Sequence, residues 1–249
     1  GPDGRLYAIN PENGLFATAP GTNNATNPAL MAAVRKNTIF NNVALGGDGT
    51  PWWEGLGTHP PGGLVDWRGN RWEAGAASPA AHPNARFTVP LHQCPTISEH
   101  VEDPGGVPLD AILFGGRRRN LAPLVFETFS WDHGVYVGAT LRSETTSAAE
   151  GQTGRLRWDP MAMLPFCGYN MADYFGHWLR IGRRMPRAPR IFHVNWFRED
   201  ESGALLWPGF GENARVLRWI RGRCRGEASA RRSPLGYFPS PHALDLPGQ

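Results

Sequence analysis

Apolar and polar positions follow two rhythms along this chain, and their order predicts its elements. Arg5–Asn10 alternates as a strand does and stops at Pro11. Asn27-Pro28 supplies an N-cap and a first-turn proline, with Leu30, Met31 and Val34 as a short helical stripe behind them. Thr38–Leu45 is β-branched and apolar and reads as a strand, whereas 46–81 shifts to Gly, Pro and Trp, an exposed hairpin and loop insertion. Leu109–Phe114 is a short apolar run ending in Gly115-Gly116, a buried strand feeding a loop. Pro123–Phe126 and Arg190–Phe197 read as further strands, and Ser130–Leu141 as a buried helix. Met171, Tyr174, Phe175, Trp178 and Leu179 make one stripe on a helix over Gly168–Arg184; Val216, Leu217, Ile220 and Cys224 do the same over Glu212–Arg225. Strands and helices intersperse, so the expected class is α/β with a mixed sheet. No internal repeat occurs, and no linker is long enough to separate two domains.

Composition sharpens this picture. With 249 residues, 41% apolar and 19% charged, the chain can bury a sizeable core and shows no sign of disorder. Its net charge of +3 is small, but all 25 basic residues except Lys36 are arginine, whose planar fork suits phosphate and carboxylate. A GC-rich coding sequence would give the same bias, so arginine richness alone assigns nothing. Cys94, Cys167 and Cys224 are odd in number and widely spaced, which argues against a disulfide framework and against a metal knuckle. The histidines show no HxH or HExxH array. No signal peptide and no bilayer-length apolar run is present, so a cytoplasmic protein is expected. The chain opens at Gly1 and enters a strand almost at once; it reads as cut.

Four clusters could carry chemistry. In His82-Pro83-Asn84-Ala85-Arg86, an Asn and an Arg two apart on an extended stretch would point the same way and could grip a carboxylate or phosphate; a loop arginine in a surface ion pair is the alternative. Gly115-Gly116-Arg117-Arg118-Arg119 follows a buried strand, where α/β proteins bind ligands and glycines let backbone approach an anion; a solvated basic turn is the alternative. No GxxxxGK[ST] pattern occurs anywhere. The small, polar run from Arg142 to Gly154 suits a loop that opens and closes, or an ordinary surface loop. Asn195-Trp196-Phe197 and Leu206-Trp207-Pro208-Gly209-Phe210-Gly211-Glu212-Asn213 could sandwich a flat base, with Asn213 reading its edge or else capping a helix.

Taken in order, the strings INPENGLFATAPGT, KNTIFNNV, AHPNARF, ILFGGRRR, RSETTSAAE, DPMAMLPFCGYN, IFHVNWFR and LWPGFGENARVL resemble the GTP-type phosphoenolpyruvate carboxykinase family, from Leu6 to about Pro239. The resemblance implies the mixed-sheet, nucleotide-binding C-terminal part of that fold over residues 1–249, with the N-terminal substrate domain and the P-loop segment lying before it. It implies an enzyme of gluconeogenesis that interconverts oxaloacetate and GTP with phosphoenolpyruvate, GDP and carbon dioxide.

Carried over position by position, the resemblance makes Asn84 and Arg86 the substrate-binding pair, with Arg86 also catalytic and touching the nucleotide. Arg118 would contact nucleotide phosphates, and Trp196, Phe197, Phe210 and Asn213 would form the guanine pocket. Ser143, Glu144, Thr145, Thr146, Ser147, Ala148, Ala149, Glu150 and Gly151 would form the mobile lid. Leu205 stands where the family usually has a third pocket phenylalanine. Mn2+ or Mg2+ is the implied cofactor, with no ligand expected in this stretch.

The implied partners are oxaloacetate or phosphoenolpyruvate and a guanine nucleotide, with no nucleic acid or membrane, in a monomeric enzyme. In such an enzyme a metal stabilises the enolate left by decarboxylation, arginines spread charge during phosphoryl transfer, and the lid excludes water that would protonate the enolate. By itself the stretch is expected to be inactive. A catalytically inert guanine-nucleotide-binding remnant is one rival reading. A glycan-binding domain using Trp52, Trp53, Trp67 and Trp72 is another.

Overall fold

The computed structural model describes residues 1–57, 59–145 and 154–244, without the side chain of Phe210. Two compact bodies form, one from residues 9–104 and one from 1–8 with 105–249. Neither boundary carries the composition of a linker. The expected strand at Arg5–Asn10 shrinks to β1 (Tyr7–Ala8), which pairs across the larger body with Val107–Pro108.

In the body of residues 9–104, β2 (Gly14–Thr18), β3 (Ile39–Asn41) and β8 (Arg86–Pro90) make an antiparallel sheet in the order β2-β8-β3. Phe87 and Val89 on the inner face pack with Ala33, Val34 and Trp53, and α1 (Pro28–Ala33) helps cover them. The strand expected over Thr38–Leu45 is broken in two. Asn42 takes a left-handed φ of 58°, and the chain leaves β3 for β4 (Ala44–Leu45) in a different sheet. A strand residue cannot hold that φ, so one pattern serves two sheets. The Gly/Pro/Trp stretch is more than a hairpin. β4, β5 (Pro51–Trp52), β6 (Leu64–Val65) and β7 (Arg71–Trp72) form a four-stranded sheet with its own small core of Ala44, Trp52, Leu64 and Ala80.

The larger body holds β9 (Val107–Pro108), β10 (Ala111–Gly115), β11 (Val125–Glu127), β12 (Arg142–Glu144), β13 (Leu156–Trp158), β14 (Arg190–Val194), β15 (Ala230–Ser233) and β16 (Gly236–Pro239). Its main sheet runs β10-β14-β11-β16-β15; β10 and β14 are parallel and the remaining pairs antiparallel, so the sheet is mixed as expected. Helices cover both faces. The α2 helix (Trp131–Ala139) starts at Ser130, whose hydroxyl accepts the His133 N–H, and α3 (Met171–Gly182) starts at Asn170, whose side chain accepts from Ala172. On the other face lies α4 (Asn213–Arg225), stopped by Gly226 at φ 76°.

Successive residues of β14 serve the two layers. Ile191 packs with Val135 of α2, while Phe192 and Val194 pack with Val216, Trp219 and Ile220 of α4. The apolar stripe of α4 therefore contains Trp219, while Leu217 stays half exposed. Glu127, nearly inaccessible, holds the central strands to α4 through Arg190 at 2.5 Å and Arg223 at 2.6 Å.

Candidate functional site

The parallel pair β10 and β14 ends in register, Gly115 opposite Val194, so the loops that follow leave the same sheet edge. Ligands of open α/β sheets bind outside the carboxyl ends of parallel strands. Here the two loops are tied by Asn195, which is 1% exposed. Its carboxamide oxygen accepts from the amides of Arg118 (3.2 Å) and Phe197 (3.3 Å); its NH2 donates to the carbonyls of Arg118 (2.9 Å) and Ala122 (3.1 Å). The Asn195 side chain is therefore fully satisfied.

The arginine run is held as firmly from its other side. The amide of Arg117 donates to the Ser143 hydroxyl at 3.0 Å, and that of Arg119 to a Glu144 carboxylate oxygen at 2.9 Å. The Arg119 guanidinium meets the other Glu144 oxygen at 2.9 Å. Gly116 is a packing requirement: a Cβ there would lie 3.0 Å from the Arg142 carbonyl oxygen. The glycine reading as an anion approach thus gives way to a close approach between two protein segments. The Arg117 guanidinium lies 3.9 Å over the Phe197 ring, whereas Arg118 shares a cavity with His193. Burial, and then the Arg118 charge, push the His193 pKa down to about 4.

On the expected base pocket, Trp196 packs against the cluster containing Trp207 and Val216. The Trp207 indole N–H donates to the Asn213 side-chain oxygen at 2.7 Å. Asn213 is not the cap of α4, since Glu212 occupies that position and the Asn213 side chain is engaged elsewhere. Its NH2 group has no hydrogen-bond partner among the described residues. Leu205 is half exposed and bridges Glu199 through the backbone. Phe210 begins a short 3-10 turn, and its side chain lies outside the described residues.

Of the expected lid, Ser143 and Glu144 belong to β12, paired antiparallel with β13, and are buried. The stem closes where Gly154 donates to the Thr145 carbonyl at 2.8 Å. Thr146, Ser147, Ala148, Ala149, Glu150 and Gly151 lie outside the described residues.

In the other body, Asn84 and Arg86 do not share an extended stretch. Asn84 sits in a turn, its amide donating to His82 Nδ1 at 2.9 Å, and extended backbone starts at Arg86. A proline at 83 and the His82 contact bend the chain there, so the period of two does not relate these side chains. The Asn84 carboxamide oxygen is buried with no partner. Arg86 makes no ion pair among the described residues, which removes the surface-pair alternative; its guanidinium lies 5.5 Å from the Phe16 ring centroid.

Arg117, Asn195 and Trp207 fell within the candidate arginine and aromatic clusters but received no individual role from the sequence. Their only signal was membership of the arginine and aromatic strings. Among the described residues no three His, Cys, Asp or Glu side chains gather as a metal site, and no helix is long and apolar enough to cross a membrane.

The fold defines an α/β domain with a mixed sheet, whose arginine and aromatic loops leave the carboxyl ends of a parallel strand pair. Comparison with known proteins gives the family. The family model described as the phosphoenolpyruvate carboxykinase C-terminal P-loop domain matches residues 1–249. The chain belongs to that family. Proteins named "Phosphoenolpyruvate carboxykinase [GTP]" are similar over the whole chain: 56% identical in Chlamydia felis, 57% in Chlamydia pneumoniae and 55% in Anaeromyxobacter dehalogenans strain 2CP-1. The chain spans 42% of the length of each of these relatives.

Proposed function

We propose that this chain is the nucleotide-holding part of a cytoplasmic, GTP-dependent phosphoenolpyruvate carboxykinase, converting oxaloacetate and GTP to phosphoenolpyruvate, GDP and carbon dioxide in gluconeogenesis. Family membership and the names of the relatives support the reaction; the rim of the larger body supports the nucleotide. The observation that carries the base choice is the Trp207–Asn213 bond. An indole N–H only donates, so Asn213 must turn its oxygen toward Trp207 and offer its NH2 outward. Guanine presents the acceptor O6 where adenine presents the donor N6, so an outward donor favours guanine and leaves adenine facing a like group. Trp196, Phe197 and Phe210 supply aromatic surface for the base.

Arg117 and Arg118 stand on the phosphate side, and Ser143–Gly151 serve as the lid that excludes water. Asn84 and Arg86 serve the substrate and the transferring phosphoryl group; the Arg86 guanidinium, which makes no ion pair among the described residues, is a donor that such an anionic ligand would satisfy. The Mn2+ or Mg2+ of the family's chemistry would stabilise the enolate when bound. The described residues do not fit it, lacking a donor cluster, so this chain's own part is to bind, orient and shield. The second reading is a guanine-nucleotide-binding piece without turnover alone.

Isothermal titration of the purified chain with GDP and ADP tests the assignment. Saturable GDP binding is expected, with ADP at least about tenfold weaker, roughly 1.4 kcal/mol, and Asn213→Asp should erase the difference. Equal binding of the two nucleotides, or none of either, overturns it.

A further inference from the structure

Arg118 and Phe197 lie on different loops, one after β10 and one after β14, and a single buried side chain holds both. Asn195 is 1% exposed, and its backbone is fixed first, its amide donating to the Leu124 carbonyl at 2.8 Å. Its carboxamide oxygen accepts the Arg118 and Phe197 amides together, at 3.2 and 3.3 Å, while its NH2 meets the carbonyls of Arg118 and Ala122. Two further links run beside it. The Glu199 amide donates to the Arg119 carbonyl at 2.8 Å, and the Arg117 guanidinium stacks on the Phe197 ring. A neutral amide of this length suits the place. Aspartate keeps the shape but has no donor, so a buried charge would face two carbonyls; leucine keeps the shape and pairs with none of the four groups.

The two amides that share the Asn195 oxygen belong to residues that a nucleotide would meet at its opposite ends, Arg118 at the phosphates and Phe197 at the base. Ligand-contacting groups keep one geometry when a second layer of hydrogen bonds locks the chain that carries them. We infer that Asn195 is a positioning residue of the nucleotide site: it sets the spacing between the base contact and the phosphate contact and couples them, so that filling one end tightens the other. The inference rests on the nucleotide reading and deepens it.

Titration of the full chain with GDP, ADP, guanosine and inorganic pyrophosphate, singly and in pairs, tests it. In Asn195→Ser the GDP affinity should fall at least about tenfold, and the preference for GDP over ADP should shrink toward one, at unchanged stoichiometry. A merely architectural tie would lower the unfolding midpoint and the binding-competent fraction but leave affinity and preference as they were; that result overturns the inference. The native chain gives a reading that needs no variant. Bound pyrophosphate should tighten guanosine, and amide hydrogen exchange should slow at Phe197 with pyrophosphate alone and at Arg118 with guanosine alone. Half-ligands that bind independently, each protecting its own loop only, overturn the coupling while leaving the nucleotide reading intact. Absence of binding by GDP, guanosine and pyrophosphate alike overturns that reading and takes the coupling with it.

Discussion

At the scale of single residues, His193 shows how burial converts a titratable side chain into a neutral one. Its folded pKa of about 4 lies below the ordinary 6.5, so between those values the unfolded chain binds a proton that the folded chain refuses. Its contribution is therefore complete above about pH 6.5 and is lost as pH falls toward 4, up to roughly 3 kcal/mol at 1.36 kcal/mol per pKa unit. Urea unfolding at pH 7 and pH 4.5 should show this slope in the native chain and lose it in His193→Gln; equal slopes would refute it. Leu205 carries a second prediction. On the proposed reading it would cover the base without π-stacking, so Leu205→Phe should tighten GDP relative to ADP by about 0.5–1.5 kcal/mol in competitive titration, and an unchanged ratio would refute the stacking argument. Individual residues were the hardest to read from sequence. Asn195 looks like one more polar residue at a strand end, and its four hydrogen bonds exist only because strands far apart in the chain end in register. Trp207 likewise reads as core, which it is, while its indole N–H fixes Asn213.

At the scale of elements, the helices were the most legible. Ser130 and Asn170 are caps with the expected chemistry, and the stripe of α3 packs on Phe114, Val135, Met161 and Ile191. What pattern could not convey is how closely α2 lies on the sheet. A Cβ at Gly134 would come within 2.6 Å of the Ile191 Cβ, and one at Gly138 within 2.9 Å of Phe114 ring atoms. Gly134→Ala should therefore destabilise the fold by about 1–3 kcal/mol, despite alanine's higher helix propensity, as read by the denaturation midpoint. A rise in the midpoint would show that the helix can shift freely. Strands were read less well. The two-residue strands of 44–72 lack the length for a period to show, and Thr38–Leu45 looked continuous because only the φ of Asn42 breaks it.

At the scale of the whole molecule, the mixed sheet with helices on both faces followed from interspersed patterns and eight ordered strings. The division into two compact bodies did not, because neither boundary carries the composition of a linker. The chain spans 42% of the length of its named relatives, and the proposed reading gives it the nucleotide rim. The expected outcome for the purified chain is nucleotide binding without turnover. GTP-dependent carbon dioxide release from oxaloacetate, measured with added Mn2+, would overturn it.

One consequence concerns the arginine loop. The amides of Arg117, Arg118 and Arg119 are already spent on Ser143, Asn195 and Glu144. A phosphate arriving here meets no free peptide N–H along these three residues, so its recognition would fall to the side chains, and selectivity would come from the span and planarity of guanidinium rather than from a rigid peptide cradle. Lysine at these positions would keep the charge and forfeit the fork.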